Sequence, residues 1–391
     1  MVTFSSMARC RMRRSAKWSL YAPDVLPLPV AEMDVELAPA VAEALHAAVD
    51  RSDTGYAPMD GGHVRAFASF AWRRWGWSVD PSLVVPAPDV GSAIVQVLTH
   101  ATGPGPVVVS PPVYPQFHSW PGAAGRGVVS VPLASAAGGA ETMEYRLDLD
   151  ALERAFAAGA SAYVLCHPHN PVGRVHARDE LVALARLAQR YGVLVVSDEV
   201  HAPLVFGGCE FVPFLDSCAE AEGVGVAVQA PSKAWNLAGL KCAFIVAGDP
   251  AHLQRLAPVI DELPWQVGIF GAFAAEAAYL HAVEWLDDLV AQLPRHHALL
   301  ASALGRHLPE ARVGAAQFGY LAWVDLSALN WPGDPADLAL AHGKVALGIG
   351  PAFGVGGERH VRVNVGARPE VIEEAVARLV TTDRAVRATR A

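Results

Sequence analysis

Three short apolar runs in the middle of the chain, Ala162–Cys166, Val193–Ser197 and Val224–Val228, constrain its fold more than any other feature. Each is nearly continuous in apolar side chains, the pattern of a strand buried on both faces rather than one wetted at alternate residues. Val107–Ser110, ending in Pro-Pro, is a further candidate strand. Between the first two runs, Asp179 to Tyr191 places Leu181, Leu184, Ala185 and Ala188 on one helical face, and Gly192 follows where a helix C-terminal glycine is expected. Strand, helix, strand, strand predicts a parallel or mixed α/β sheet with ligands at the strand ends.

The 391 residues allow two domains at roughly 100–200 residues each. Residues 1–50 are expected to form an arm and a helix (Ala40 to Val49, with Pro39 near its start) that belong to a smaller domain. Residues 51–250 are expected to form the large domain, entered through the turn-rich TGYAPMDGG and a Trp-rich helix from His63 to Trp75. Residues 251–391 then supply Ala/Leu-rich helices from about His252 to His307, strands near Leu321–Leu326 and Val361–Val365, and a closing helix after Pro369. His296, His297 and His307 are expected to be solvated, and the tryptophans near 72–77 to be packing residues.

Hydrophobic residues make up 52% and charged residues 18%, enough apolar surface for a large core and too little charge for a disordered chain. The net charge of -9 argues against a general nucleic-acid or anionic-membrane partner. No apolar run approaches the ~18 residues of a membrane span. The basic N-terminus (Arg9, Arg11, Arg13, Arg14, Lys17) is followed by Asp24, Glu32 and Asp34 rather than an apolar stretch, so no secretory signal is expected. Cys10, Cys166, Cys209, Cys218 and Cys242 are scattered and form no CxxC pair, which predicts reduced thiols in a cytoplasmic protein and no metal cluster.

Four polar segments follow the candidate strands: Pro111-Pro112-Val113-Tyr114-Pro115, His167-Pro168-His169-Asn170-Pro171-Val172-Gly173, Ser197-Asp198-Glu199-Val200-His201, and Ala230-Pro231-Ser232-Lys233-Ala234-Trp235-Asn236. In a parallel sheet their ends converge, bringing together an aromatic ring, an amide, a carboxylate and an amine. Lysine is scarce, only Lys17, Lys233, Lys241 and Lys344, so chemistry that needs a primary amine has few places to occur. The set suits pyridoxal 5′-phosphate, which takes a lysine on its aldehyde and a carboxylate on its ring nitrogen.

These segments, with LPLPVAEMD, TGYAPMDGG, APSKAWNLAGL and PAFGVGGERHVRVN, resemble the fold-type I pyridoxal-phosphate enzymes of the aminotransferase class I/II superfamily, and within them the MalY/PatB-like cystathionine β-lyase subgroup. The match runs in order along nearly the whole chain. It implies a large domain with a mostly parallel sheet sandwiched by helices, and a smaller α+β domain. It implies that Lys233 forms the covalent imine and moves the Cα proton. Asp198 would pair with the ring nitrogen, Asn170 and His201 would contact the ring oxygen, and Tyr114 would stack on the ring. The phosphate would rest on Asp89, Val90 and Gly91 at a helix start, with Ser232 adding a hydroxyl. Lys241 stands where many aminotransferases place a phosphate-binding arginine. Tyr56 would reach the phosphate of a neighbouring subunit, making the active unit a homodimer, and Arg362 would bind the substrate carboxylate. The plainer alternatives are a surface lysine at 233, a helix cap at Asp198, a turn residue at Asn170, a core or surface histidine at His201, a core ring at Tyr114, and a surface ion pair at Arg362.

The implied reaction is β-elimination from an S-substituted cysteine, giving thiol, pyruvate and ammonia. Transamination or decarboxylating and oxidative deamination would use the same residues, and a non-catalytic regulatory protein on the same fold is the rival of another class. The chain departs from the subgroup at Asp89, where an acid beside a phosphate is unexpected unless it caps the helix. Further departures are Pro29, Glu32, His167 and Cys209-Glu210-Phe211, and they suggest a specialised substrate.

Overall fold

The computed structural model describes residues 1–136 and 143–389. Its main sheet has seven strands: β1 (Val84–Ala87), β2 (Val107–Val109), β3 (Val128–Ser130), β4 (Ala162–Cys166), β5 (Leu194–Asp198), β6 (Gly225–Gln229) and β7 (Ala243–Ala247). In space they run β1-β7-β6-β5-β4-β2-β3. The five from β3 to β6 are parallel, and β7 is antiparallel to both β6 and β1. The sheet is thus mixed, and the expected strands lie within one residue of their predicted bounds.

Alternate residues of β4 enter two different cores. Tyr163 and Leu165 join one, while Ala162, Val164 and Cys166 join the other. Both faces are covered, which is why the sequence shows no polar alternation. The covering helices are among α1 (Pro39–Asp50), α2 (Gly62–Trp75), α3 (Val90–His100), α4 (Arg178–Tyr191), α5 (Pro250–Ile260), α6 (Ile269–His281), α7 (Val283–His307) and α8 (Pro369–Ala388). Ile94, Val97 and Leu98 of α3 pack on one face; Leu181, Leu184, Ala185 and Ala188 of α4, with Phe67 and Phe70 of α2, pack on the other. Each large apolar side chain so buried contributes about 1.5–3 kcal/mol of transfer free energy. Gly192 ends α4 at φ 67°, the left-handed conformation the sequence anticipates there.

A second, antiparallel sheet comprises β8 (Arg312–Val313), β9 (Leu321–Asp325), β10 (Gly348–Ile349) and β11 (His360–Asn364), in the order β8-β9-β11-β10. Leu26–Pro27 pairs in parallel with Val345–Ala346, so the start of the chain is stitched to its C-terminal part. Among the described residues no helix is long and apolar enough to cross a membrane.

The Ala/Leu-rich region forms helices as expected, α5 to α7, but the expectation that its histidines are solvated needs correction. His296 and His297 are buried, with Nδ1 of His296 2.9 Å from the Val365 carbonyl and Nε2 of His297 3.0 Å from that of Gly319. The carbonyl partner satisfies one ring nitrogen of each buried imidazole, while Nδ1 of His297 has no partner; only His307 of the three is exposed. Among the tryptophans, Trp77 packs edge-on against Phe67 and Trp75 against Phe70, while Trp72 is exposed.

The basic arm is structural. Lys17 is fully buried, with Nζ 2.8 Å from Asp34 and 3.2 Å from the Glu32 carbonyl, and Trp18 donates to the other Asp34 oxygen at 2.9 Å. Removing one member of such a pair strands a buried charge. Lys17→Met is therefore expected to cost about 3–5 kcal/mol, and Lys17→Met with Asp34→Leu to recover most of it, read as shifts in the urea midpoint.

Candidate active site

The strand ends converge on one cavity of about 320 Å³. All the cofactor and catalytic residues expected from the sequence line it except Tyr56, and Arg362 stands just behind its wall, bonded to Asn170. Asp198 closes β5, and its carboxylate accepts the Val200 N–H at 3.2 Å. Burial drives its acid up to about 7, against the opposing pull of that N–H and of Lys233. No ion pair neutralises it among the described residues. Lys233 follows β6 and donates to the Ala31 carbonyl at 3.3 Å. Burial, reinforced by Arg362, lowers its ammonium to about 8, with Asp198 and Glu32 acting the other way.

The turn after β4 presents Asn170, whose Oδ1 accepts from Nη1 of Arg362 at 3.1 Å. Arg362 sits on β11, so this bond joins the two sheets. Its Nη2 reaches the Pro29 carbonyl at 2.8 Å, its guanidinium lies 5.0 Å from the Phe353 ring centre, and its buried Nε has no partner. Burial lowers its pKa to about 10, which still leaves it charged at neutral pH. His201 is buried with Nδ1 unpartnered. Burial first, then the charges of Lys233 and Arg362, push it well below the ordinary histidine value, so its ring is neutral. Tyr114 forms part of the wall, its ring 6.0 Å from that of Trp120.

At the opposite end, α3 points its N-terminus into the cavity. Asp89 is its cap, accepting the Ser92 N–H at 2.8 Å, as the sequence allowed for this unusual acid. Its other oxygen lies 3.0 Å from Nζ of Lys241. Val90, Gly91 and Ser232 complete this end. A Cβ on Gly91 would lie 3.0 Å from Nε1 of Trp120, so glycine is what lets the indole approach the helix start. Tyr56 is 74% exposed, does not line this cavity, and meets Trp265 edge-on at 5.3 Å.

Several residues escaped the sequence reading. Trp120, Cys166 and Cys242 also line the cavity. The segment 29–33 crosses its rim and is held almost entirely by its backbone. Besides the bonds to Arg362 and Lys233, Tyr320 donates to Ala31, Asn364 to Val30 and Glu32, and Asn236 clasps Met33 through both its amide atoms at 2.8 and 3.0 Å. Asn236 lies in the quoted lysine segment and could have been suspected. A carbonyl partner such as Ala31 leaves no side-chain signal.

The donor set fits pyridoxal 5′-phosphate. A buried carboxylate without a cation suits a protonated ring nitrogen, an amine of lowered pKa suits an aldehyde, and a helix N-terminus with a hydroxyl suits a phosphate. Among the described residues no group of three or more His, Cys, Asp or Glu could hold a metal ion.

Residues 23–379 match the family described as aminotransferase class I and II. The chain is 34% identical to the cystathionine β-lyase of Corynebacterium glutamicum, over 97% of this chain and 99% of the relative. A solved structure from Corynebacterium diphtheriae, described as a β-cystathionase dependent on the same cofactor, superposes with a TM-score of 0.91 at 36% identity, covering 98% and 99% of the two chains. Cystalysin of Treponema denticola, whose structure contains pyridoxal 5′-phosphate, gives 0.89 at 25% identity over 98% of each.

Glu199, beside Asp198, is also buried, and burial raises its acid to about 8. Carboxyls raised in the folded state favour folding at low pH, and that contribution is lost progressively as pH climbs from the ordinary carboxyl range through 7 to 8. The buried histidines, lowered by burial, act at more acidic pH, and their contribution is complete once the unfolded chain's histidines are neutral, above about 6.5. The cofactor-free chain is therefore expected to lose stability between pH 6.5 and 8. Urea midpoints at the two pH values check this, and Asp198→Asn should reduce the loss.

Proposed function

The chain belongs to the aminotransferase class I and II family, and from that premise we propose that it is a pyridoxal 5′-phosphate-dependent carbon–sulfur β-lyase acting on an S-substituted L-cysteine. The observation that carries this is the buried amine of Lys233 sharing one cavity with the uncompensated carboxylate of Asp198, in a chain whose full-length relatives include cystathionine β-lyases.

Bound there, pyridoxal phosphate supplies a sink for the electron pair released at the substrate Cα. The side chains do the rest. Asp198 would hold the proton on the ring nitrogen, with Tyr114 against the ring and Asn170 and His201 on its oxygen. Arg362, already fixed by Asn170 and Pro29 and with Nε free, is set to take the substrate carboxylate in a planar fork. Lys233, lowered to about 8, has a usable free base near neutral pH to take the Cα proton. The thiolate then departs from Cβ. One water enters, and thiol, pyruvate and ammonium leave, with no oxidant or reductant required.

The active unit in this reading is a homodimer in the cytoplasm. Tyr56, exposed and outside the lining of its own cavity, is assigned to the phosphate held by the partner subunit, and five free cysteines favour a reducing compartment. A preference for a specialised cysteine conjugate over plain cystathionine rests on the sequence departures at Pro29, Glu32, His167 and Cys209-Glu210-Phe211 alone: none of these residues lines the cavity, Phe211 stacks on the buried His167 at 4.7 Å, and Glu210 faces Arg178 at the surface.

Incubation with cystathionine and a panel of cysteine S-conjugates should release pyruvate and free thiol with no keto acid added. Product formed only when an amino acceptor is supplied would instead make the chain a transaminase, the activity named for a relative 31% identical from Streptomyces rimosus. Lys233→Ala is expected to lower turnover by about 10³-fold or more. Arg362→Lys should raise KM by about tenfold or more with a smaller change in kcat, because the bidentate fork is lost.

A further inference from the structure

The phosphate end of the cavity carries a charge balance of its own. Asp89 places one carboxylate oxygen on the Ser92 N–H of α3 and the other 3.0 Å from Nζ of Lys241. A helix N-terminus and a cation are the two attractions a phosphate seeks, and this acid already engages both. Burial tends to raise its pKa, but the Ser92 N–H and Lys241 more than offset that and hold it below the ordinary aspartate value, so it is charged at neutral pH. Ser232, Val90 and Gly91 remain to receive the phosphate.

We propose that Asp89 is an internal competitor of the cofactor phosphate: it caps α3, engages Lys241, and so sets the affinity for pyridoxal phosphate below what the same cavity would reach with a neutral cap. The inference rests on the pyridoxal-phosphate reading of the site and deepens it. It makes Lys241 a counter-ion to the protein rather than a full phosphate ligand. The phosphate is then held mainly by neutral donors, and its charge meets a like charge across the helix start.

Affinity for the cofactor, not turnover, tests this. Apo-protein is titrated with pyridoxal phosphate, and separately with pyridoxal, which lacks the phosphate, following absorbance on imine formation. Asp89→Asn and Asp89→Ser both keep a capping side chain while removing the charge. Each should bind pyridoxal phosphate roughly tenfold more tightly and pyridoxal within about twofold of the parent. Lys241→Gln should weaken pyridoxal phosphate by less than about threefold in the parent and by roughly tenfold when combined with Asp89→Asn. Unchanged or weaker phosphate-dependent affinity in both Asp89 variants overturns the proposal, as does an equal cost of Lys241→Gln in the two backgrounds. A parent chain that binds neither compound overturns the pyridoxal-phosphate reading as well.

Discussion

A sheet covered on both faces leaves its strands no room for polar side chains except at their ends. β4, β5 and β6 obey this constraint along their whole lengths, and every strand residue among them is buried. Polarity is displaced to the turns, where Asn170, Asp198 and Lys233 meet. The same burial that stabilises the fold also tunes these groups. It penalises charge on the acid and on the amine alike, raising one and lowering the other until their ordinary gap of several pKa units nearly closes. The chemistry of the site is thus a direct product of the packing beneath it.

Arg362 shows how the two sheets cooperate. It belongs to the antiparallel sheet, yet its guanidinium is fixed by Asn170 from the parallel one and by the carbonyl of Pro29 from the arm. Three distant stretches of sequence therefore fix one cation. A buried arginine is tolerated because carbonyl oxygens and an aromatic face replace much of its lost hydration.

Much of this was legible in the residues. Continuous apolar runs marked the buried strands, the 3.6-residue spacing of Leu181 to Ala188 marked α4, and the polar segments after each strand marked the cavity. What escaped had a physical reason. β7 runs against its neighbours, but an apolar run looks the same in either direction. His296 and His297 sit on an otherwise ordinary helix, and only the carbonyls of Val365 and Gly319, far along the chain, make their burial tolerable. Lys17 reads as one of several arm cations until Asp34 is found beside it. The grip on residues 29–33 is made through backbone oxygens, which no sequence pattern reports.

That grip has a consequence for biosynthesis. Arg362 is made 333 residues after Pro29, which it binds, and Asn364 follows it to bind Val30 and Glu32. A nascent chain can lay down the parallel strands and expose Lys233 well before the rim of its cavity has anything to close onto. The rim can close only after β11 has been made, and a chain interrupted upstream of β11 keeps the amine of Lys233 but lacks the guanidinium and amide that hold Pro29, Val30 and Glu32.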